Sequence, residues 1–324
     1  MNKLKTYQNR INEQLKTLNF PAEPANLYAP IRYAVEAGGK RLRPALCLLA
    51  CDLFGEDPDK ALGPAIGIEI FHNFTLVHDD IMDNAPVRRN LETVYRKYGT
   101  NSAILSGDTM MAMAYGYLMQ APGHCLTDIL TIFNRTAIEV CEGQQMDMDF
   151  ENLPEVSEAQ YLEMIRLKTA VLLAASLEVG ARIGRAGEDQ AASVYRFGEA
   201  IGMAFQLQDD LLDAFGSEEV FGKKPGGDIR ANKKTILFLK AREMAGDTDK
   251  NRLDFLFSNT GLTDEEKVNE TLAIFRRYRV NEIIDDIIEQ YYNTAFYHLE
   301  QLNLSPEKSE ELSSFALSLK NRKS

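Results

Sequence analysis

An all-α fold is predicted by three observations. Apolar residues recur at intervals of three and four almost throughout, alternating β-branched runs are nearly absent, and the interruptions are short Pro/Gly breaks. The spacing predicts helices over 4–18, 28–38, 43–54, 64–84, 93–120, 125–150, 157–184, 189–215, 231–245, 264–302 and 306–320. Pro64 suits a first helical turn, and Asn84 to Pro86 stops the helix before it. "APGHC" separates the next two long helices, and "GKKPGGD" cannot continue one. No Gly/Ser-rich or charged bridge divides the chain, so a single domain is expected over 1–324, with a mobile loop around "EEVFGKKPGGDIRANKK".

Composition narrows the function. At 45% hydrophobic and 26% charged, the 324 residues can bury a sizeable core. The formal charge of −12 argues against a nucleic-acid binder and requires any anionic ligand to be held by a local basic site. The N-terminal stretch has no apolar signal segment, and no run is long enough to span a membrane, so a soluble, cytoplasmic protein is expected. Cys47, Cys51, Cys125 and Cys141 lie in apolar, helix-like surroundings without the paired spacing of a zinc site, and are expected to be buried free thiols.

One pattern occurs twice. "LVHDDIMD" at 76–83 and "QLQDDLLD" at 206–213 share the spacing Asp-Asp-x-x-Asp at the ends of two apolar helices. Residues four apart share a helix face, so Asp79 with Asp83, and Asp209 with Asp213, each aim two carboxylates at one point, with Asp80 and Asp210 alongside. Like charges about 4 Å apart cost on the order of 4 kcal/mol at an effective dielectric of 20. Fanning into water, sharing protons or binding cations each relieves that repulsion. The apolar helices leading into both runs favour cations, and all-oxygen ligation suits a hard ion such as Mg²⁺. A di-iron carboxylate bundle is a rival, because Glu69 and His72 form a Glu-x-x-His, but a second copy is missing.

Basic residues follow these runs. Arg88 and Arg89 come just beyond the first, and "AGGKRLRPAL" supplies Lys40, Arg41 and Arg43 behind two glycines. These read as phosphate clamps, to which Lys168 with Thr169, Lys223 and Lys233 add candidates. Two basic sets beside metal-binding carboxylates and an apolar wall point to two diphosphate heads and a hydrocarbon tail.

Taken in order, "GGKRLRP", "HDDIMD" with its following "RR", "EGQQMD", "LKTAVL", "FQLQDDLLD", "GKKPGGDI" and "NKKT" resemble the trans-isoprenyl diphosphate synthases, the polyprenyl synthetase family, over nearly the whole chain. The resemblance implies a single helical bundle around a deep central apolar cavity, usually homodimeric, with the two aspartate motifs facing across its mouth. It implies three Mg²⁺ ions held mainly by Asp79, Asp83 and Asp209, with Asp80, Asp210 and Asp213 binding or orienting. Arg88, Lys168 and Lys223 would hold an allylic diphosphate, and Lys40, Arg43, His72 and Arg89 isopentenyl diphosphate. Gln206 and Thr169 would line the reacting carbons, Gln144 and Asp147 would stand behind the metal ligands, and Lys233 would help close the site.

The implied reaction is head-to-tail condensation of isopentenyl diphosphate with a dimethylallyl, geranyl or farnesyl diphosphate. In the family, a Phe five positions before the first aspartate with a small neighbour resembles geranylgeranyl diphosphate synthases, with farnesyl diphosphate the second product. Phe74 and Thr75 occupy those places, and Phe71 lies deeper along the helix. A terpene cyclase and a noncatalytic subunit of a heteromeric synthase are the alternatives. The chain departs from the family at Asn90, where Gly often follows the paired arginines, which leaves the local turn open.

Overall fold

Helices fill most of the described chain, residues 3–216, 225–258 and 261–321 of a computed structural model. In order they are α1 (Lys3–Lys16), α2 (Ala25–Glu36), α3 (Leu42–Leu53), a 3₁₀ turn (Pro58–Ala61) and α4 (Leu62–Met82). After a hairpin of β1 (Val87–Arg88) and β2 (Leu91–Glu92) come α5 (Val94–Tyr98), α6 (Thr100–Leu118), α7 (Leu126–Asn152) and α8 (Glu158–Ile165). A π turn (Arg166–Ala170) leads into α9 (Val171–Ile183) and α10 (Glu188–Phe215). The remainder is α11 (Gly227–Arg230), α12 (Ile236–Met244), α13 (Asp247–Leu256), α14 (Asp264–Arg277), α15 (Val280–Gln301) and α16 (Pro306–Lys320). Among the described residues, no helix is long and apolar enough to cross a membrane.

The all-α expectation holds, and its errors have local causes. Gly99, at φ 88°, splits the helix expected over 93–120. Arg279, at φ 51°, splits the one expected over 264–302. Glycine is the usual residue for such a helix-ending backbone, and "FRRYRVNE" offers none to read. The hairpin and α13 were not expected either. The expected loop over 218–234 begins outside the described residues, and its later part includes the short helix α11.

The helices gather into two compact units. The first comprises Met1–Ala137, Leu172–Tyr195 and Gln301–Glu311. Its core is built on α4, which packs along α6 and α3 and buries Ile66, Ile68 and Phe71. Helix α9 lies so close to α3 that a Cβ on Gly180 would stand 2.1 Å from the Cys47 carbonyl oxygen. Cys47, Cys51 and Cys125 are buried as expected; Cys141 is not, because it lies on an exposed face of α7 beside Ile138. The second unit comprises Ile138–Val171, Arg196–Glu300 and Leu312–Ser324. Phe197, Ile201, Leu207, Phe275 and Tyr292 form its core. A Thr263/Glu266 capping box starts α14, and Lys267 on that helix reaches the Arg230 carbonyl and the Asn232 amide oxygen beside α11.

Arg41 corrects its reading as a phosphate clamp. It is 5% exposed, ion-paired with Glu69 of α4, and donates to the Val35 carbonyl at 2.7 Å. Asn73 completes the set by donating to the Glu69 carboxylate at 3.1 Å. Glu69 is thereby committed to structure, which also removes the carboxylate from the di-iron alternative. Breaking a buried pair by removing one partner costs about 3–5 kcal/mol, whereas a well-packed apolar replacement of both is near neutral. Glu69→Gln is therefore expected to lower stability by about that amount, and Arg41→Met with Glu69→Leu to restore most of it. Urea unfolding followed by circular dichroism checks both; an unshifted midpoint in Glu69→Gln would contradict this account of the pair.

Candidate active site

The first acidic run ends α4, with Asp83 as its C-cap and Asn84 turning the chain at φ 51°. The hairpin that follows pairs Val87 with Glu92 and Arg88 with Leu91. Its two turn residues, Arg89 and Asn90, have φ of 53° and 63°. Two-residue hairpin turns of this kind need positive φ at both central positions, and asparagine tolerates it better than other residues with a side chain. Asn90 therefore keeps the turn in place of glycine, which settles the local doubt.

This hairpin carries Arg88 back to the helix end. Its Nη2 donates to Asp79 Oδ2 at 2.9 Å and its Nε to Asp80 Oδ1 at 2.8 Å. Asp80 is only 3% exposed, and burial raises its carboxyl pKa against the opposing pull of Arg88. Arg89 donates to the Gly38 carbonyl, so the "GGKRLRP" turn and the paired arginines meet. Lys40 is exposed on that turn. Arg43 Nη1 lies 3.4 Å from His72 Nε2, and Arg43 Nε is buried with no hydrogen-bond partner. Burial, then Arg43 and Arg89, hold the His72 pKa well below the usual histidine value, so the imidazole is neutral near pH 7. A neutral ring, several guanidiniums and an unsatisfied buried N–H form a donor-rich site for an anion.

Upstream on α4 the aromatic residues form a chain. Phe71, fully buried, has its ring 5.6 Å from that of Phe74 and 5.0 Å from that of Phe133. Tyr115 stands 5.0 Å beyond Phe133, while His78 lies 4.7 Å from Phe74 on the other side. Thr75 turns its hydroxyl to the His72 carbonyl at 2.8 Å. Phe133 and Tyr115 were missed in the sequence because they come from α6 and α7, where no motif marks them.

In the second unit, the other acidic run lies near the end of α10. A pocket of about 110 Å³ is lined there by Asp147, Lys168, Thr169, Gln206, Asp210 and Lys233 among others. All six were singled out in the sequence. The π turn offers Lys168 and Thr169, and α7 comes so close that a Cβ on Gly143 would stand 2.3 Å from the Lys168 nitrogen. Lys168 Nζ contacts Asp147 Oδ2 at 2.6 Å. Thr169 Oγ1 donates to Gln206 Oε1 at 3.1 Å, and Gln206 Nε2 donates to Asp210 Oδ1 at 3.1 Å. Tyr161 gives its hydroxyl hydrogen to Asp210 Oδ2. Gln144, on α7, has a buried Nε2 without a hydrogen-bond partner. Lys223 lies outside the described residues.

Three contributors were not assigned in the sequence. Tyr161 lines the pocket without belonging to a quoted motif, and Lys234 lines it from within the quoted "NKKT". Asp228 does lie in the quoted "GKKPGGDI", and its pKa is pushed up to about 6 by burial and then by Asp213. Asp213 accepts the Gly227 N–H at 3.2 Å and the Asp228 N–H at 2.9 Å. The two acidic runs thus share a construction. The middle aspartate, Asp80 or Asp210, is buried and tied to donors, while Asp79, Asp209 and Asp213 are partly exposed and Asp83 is exposed.

Among the described residues, no three His, Cys, Asp or Glu side chains are grouped as a complete metal cage. The donor set is nonetheless the hard oxygen type that Mg²⁺ prefers, and that ion is usually bound by one or two carboxylates with phosphate and water completing its shell. The residues present fit it.

Residues 24–275 match the model of the polyprenyl synthetase family. The chain is 36% identical over 306 residues to the short chain isoprenyl diphosphate synthase of Methanothermobacter thermautotrophicus, covering 94% of this chain and 93% of that one. It is 39% identical over 245 residues to the geranylgeranyl diphosphate synthase of Methanosarcina mazei, covering 75% and 76%. A crystal structure of a geranylgeranyl pyrophosphate synthase superposes with a TM-score of 0.94 at 42% identity over the full length of both chains. With its all-helical isoprenoid synthase fold and both aspartate runs in place, this chain belongs to the polyprenyl synthetase family and is a trans-prenyltransferase.

Proposed function

We propose that the chain condenses isopentenyl diphosphate with an allylic diphosphate to give geranylgeranyl diphosphate, as a Mg²⁺-dependent, cytoplasmic homodimer whose 324 residues act as one catalytic domain. The observation that carries this reading is the shared construction of the two runs: a buried, bonded middle aspartate with outer carboxylates left nearer solvent. The names of the relatives support the product.

Asp79, Asp83 and Asp209 would hold the ions, with Asp213 beside them. Bound there, Mg²⁺ supplies charge that stabilises the departing diphosphate. Arg88, Lys168 and Lys223 would hold the allylic diphosphate and Lys233 would help close the site, with Asp147 Oδ2 in contact with Lys168 Nζ at 2.6 Å. Lys40, Arg43, His72 and Arg89 take isopentenyl diphosphate, for which the unsatisfied Arg43 Nε is a ready donor. Thr169 and Gln206 turn oxygen atoms toward the allylic carbons, where positive charge develops as the carbon–oxygen bond breaks. The isopentenyl double bond attacks that carbon, and the released diphosphate accepts the proton then lost. Phe150, Met164 and Ile165 line the pocket and keep water from the cation.

Purified protein incubated with Mg²⁺, isopentenyl diphosphate and each allylic starter tests this directly. Geranylgeranyl diphosphate is the expected product, whereas a cyclised hydrocarbon would favour the terpene cyclase alternative and no turnover would leave a noncatalytic subunit. Asp79→Ala is expected to lower kcat by roughly a hundredfold or more, as loss of a charge-stabilising group does. Its far-UV circular dichroism should match the parent, and unimpaired turnover would contradict the metal assignment. Phe74→Ala opens the aromatic chain at a half-buried position and is expected to lengthen the product. An unchanged product distribution on thin-layer chromatography would remove Phe74 as a determinant of length.

A further inference from the structure

The polar chain Thr169–Gln206–Asp210–Tyr161 has a fixed direction. Gln206 Nε2 donates to Asp210 Oδ1 at 3.1 Å, so the amide nitrogen is the side of Gln206 that faces Asp210. Gln206 Oε1 then necessarily faces the other way, toward Thr169, whose hydroxyl spends its one hydrogen on it at 3.1 Å. A hydroxyl has one hydrogen and two lone pairs, so Thr169 is left with acceptor capacity alone. All four side chains line the same pocket.

Tyr161 sets the other end. It is 4% exposed, as is Asp210, and its hydroxyl is the donor to Asp210 Oδ2. With one oxygen held by Tyr161, the carboxylate keeps its other oxygen turned to Gln206. Without that hydroxyl, a buried carboxylate lacks a donor and reorients to find one, and the amide of Gln206 is free to turn over. Its N–H group would then face Thr169, reverse that hydroxyl, and present hydrogen where lone pairs are wanted.

We propose that Tyr161 is a positioning residue for the condensation: through Asp210 it fixes the amide of Gln206 so that Thr169 and Gln206 present oxygen, not hydrogen, to the cationic allylic carbons. The inference rests on the reaction proposed above and adds to it a residue outside the aspartate motifs. It also separates Asp210 from Asp209. The latter is a metal ligand in this scheme; the former is an anchor whose two oxygens each accept a hydrogen bond, one from Tyr161 and one from Gln206.

A double-mutant cycle in the full-length enzyme tests it, with Mg²⁺, isopentenyl diphosphate and farnesyl diphosphate. Tyr161→Phe is expected to lower kcat roughly tenfold to a hundredfold, the range for residues that orient an active group. KM for both substrates should stay within about twofold, because no substrate contact is removed. Gln206→Ala is expected to lose at least as much, and the double variant no more than Gln206→Ala alone, since Tyr161 acts through that amide. An unchanged kcat in Tyr161→Phe, or losses that multiply in the double variant, overturns the proposal. Should Tyr161→Phe fail to fold by circular dichroism, the same cycle with Asp210→Asn decides: non-multiplying losses support an anchor, and multiplying losses mark an independent role and overturn it. Wild-type protein that does not elongate farnesyl diphosphate overturns the functional reading and this inference together; active wild type with an unaffected Tyr161→Phe overturns this inference alone.

Discussion

A carboxylate taken out of water must be met by donors, and the active region is organised around two that are. Asp80 and Asp210 are 3% and 4% exposed. Each therefore fixes whatever satisfies it: Asp80 draws Arg88 back from the hairpin, and Asp210 draws in Tyr161 and Gln206. Asp79 shares α4 with Asp80, and Asp209 and Asp213 share α10 with Asp210, so the helix backbone sets the direction in which each of these carboxylates leaves. Repulsion among three crowded aspartates is thereby answered in part within the protein, Arg88 meeting both Asp79 and Asp80, and Tyr161 and Gln206 meeting Asp210.

The same reliance on donors explains how an acidic chain handles anions. A net charge of −12 opposes binding of a diphosphate at long range. Binding must come from short-range donors, and these are concentrated at two turns. The double glycine before Lys40 brings backbone close to Arg89, whose guanidinium lies about where a Gly39 Cβ would be, at 2.9 Å from Nη1. Arg41, though in the same motif, is spent on Glu69 and holds the turn in shape. Arg43, two positions on, keeps an unsatisfied donor. Three basic residues in one short motif thus serve as an exposed charge, a structural tie and a donor.

Much of this was legible in the sequence because period and spacing are local properties. The helices followed from the apolar repeat, and the aspartate runs from their identical spacing. The six candidate residues that line the pocket of the second unit stand in motifs legible in the sequence. What escaped notice depends on tertiary partners. Tyr161 looks like any apolar position of a helix until Asp210 is found against it, and Phe133 looks like any core phenylalanine until Phe71 meets it. Arg41 and Arg43 could not be told apart by type or neighbours; only the buried Glu69 separates their roles. The break at Arg279 had no glycine to announce it, whereas the one at Gly99 did and was passed over.

The division of labour within each acidic run is open to direct observation. Crystals grown with Mn²⁺ and inorganic diphosphate, with data collected at the manganese absorption edge, would locate the ions by anomalous scattering. The account predicts peaks in ligand contact with Asp79, Asp83 and Asp209, while Tyr161 and Gln206 remain bonded to Asp210 and Arg88 to Asp80. Peaks coordinated by Asp80 and Asp210, with those donors released, or no manganese at either acidic helix end, would contradict it.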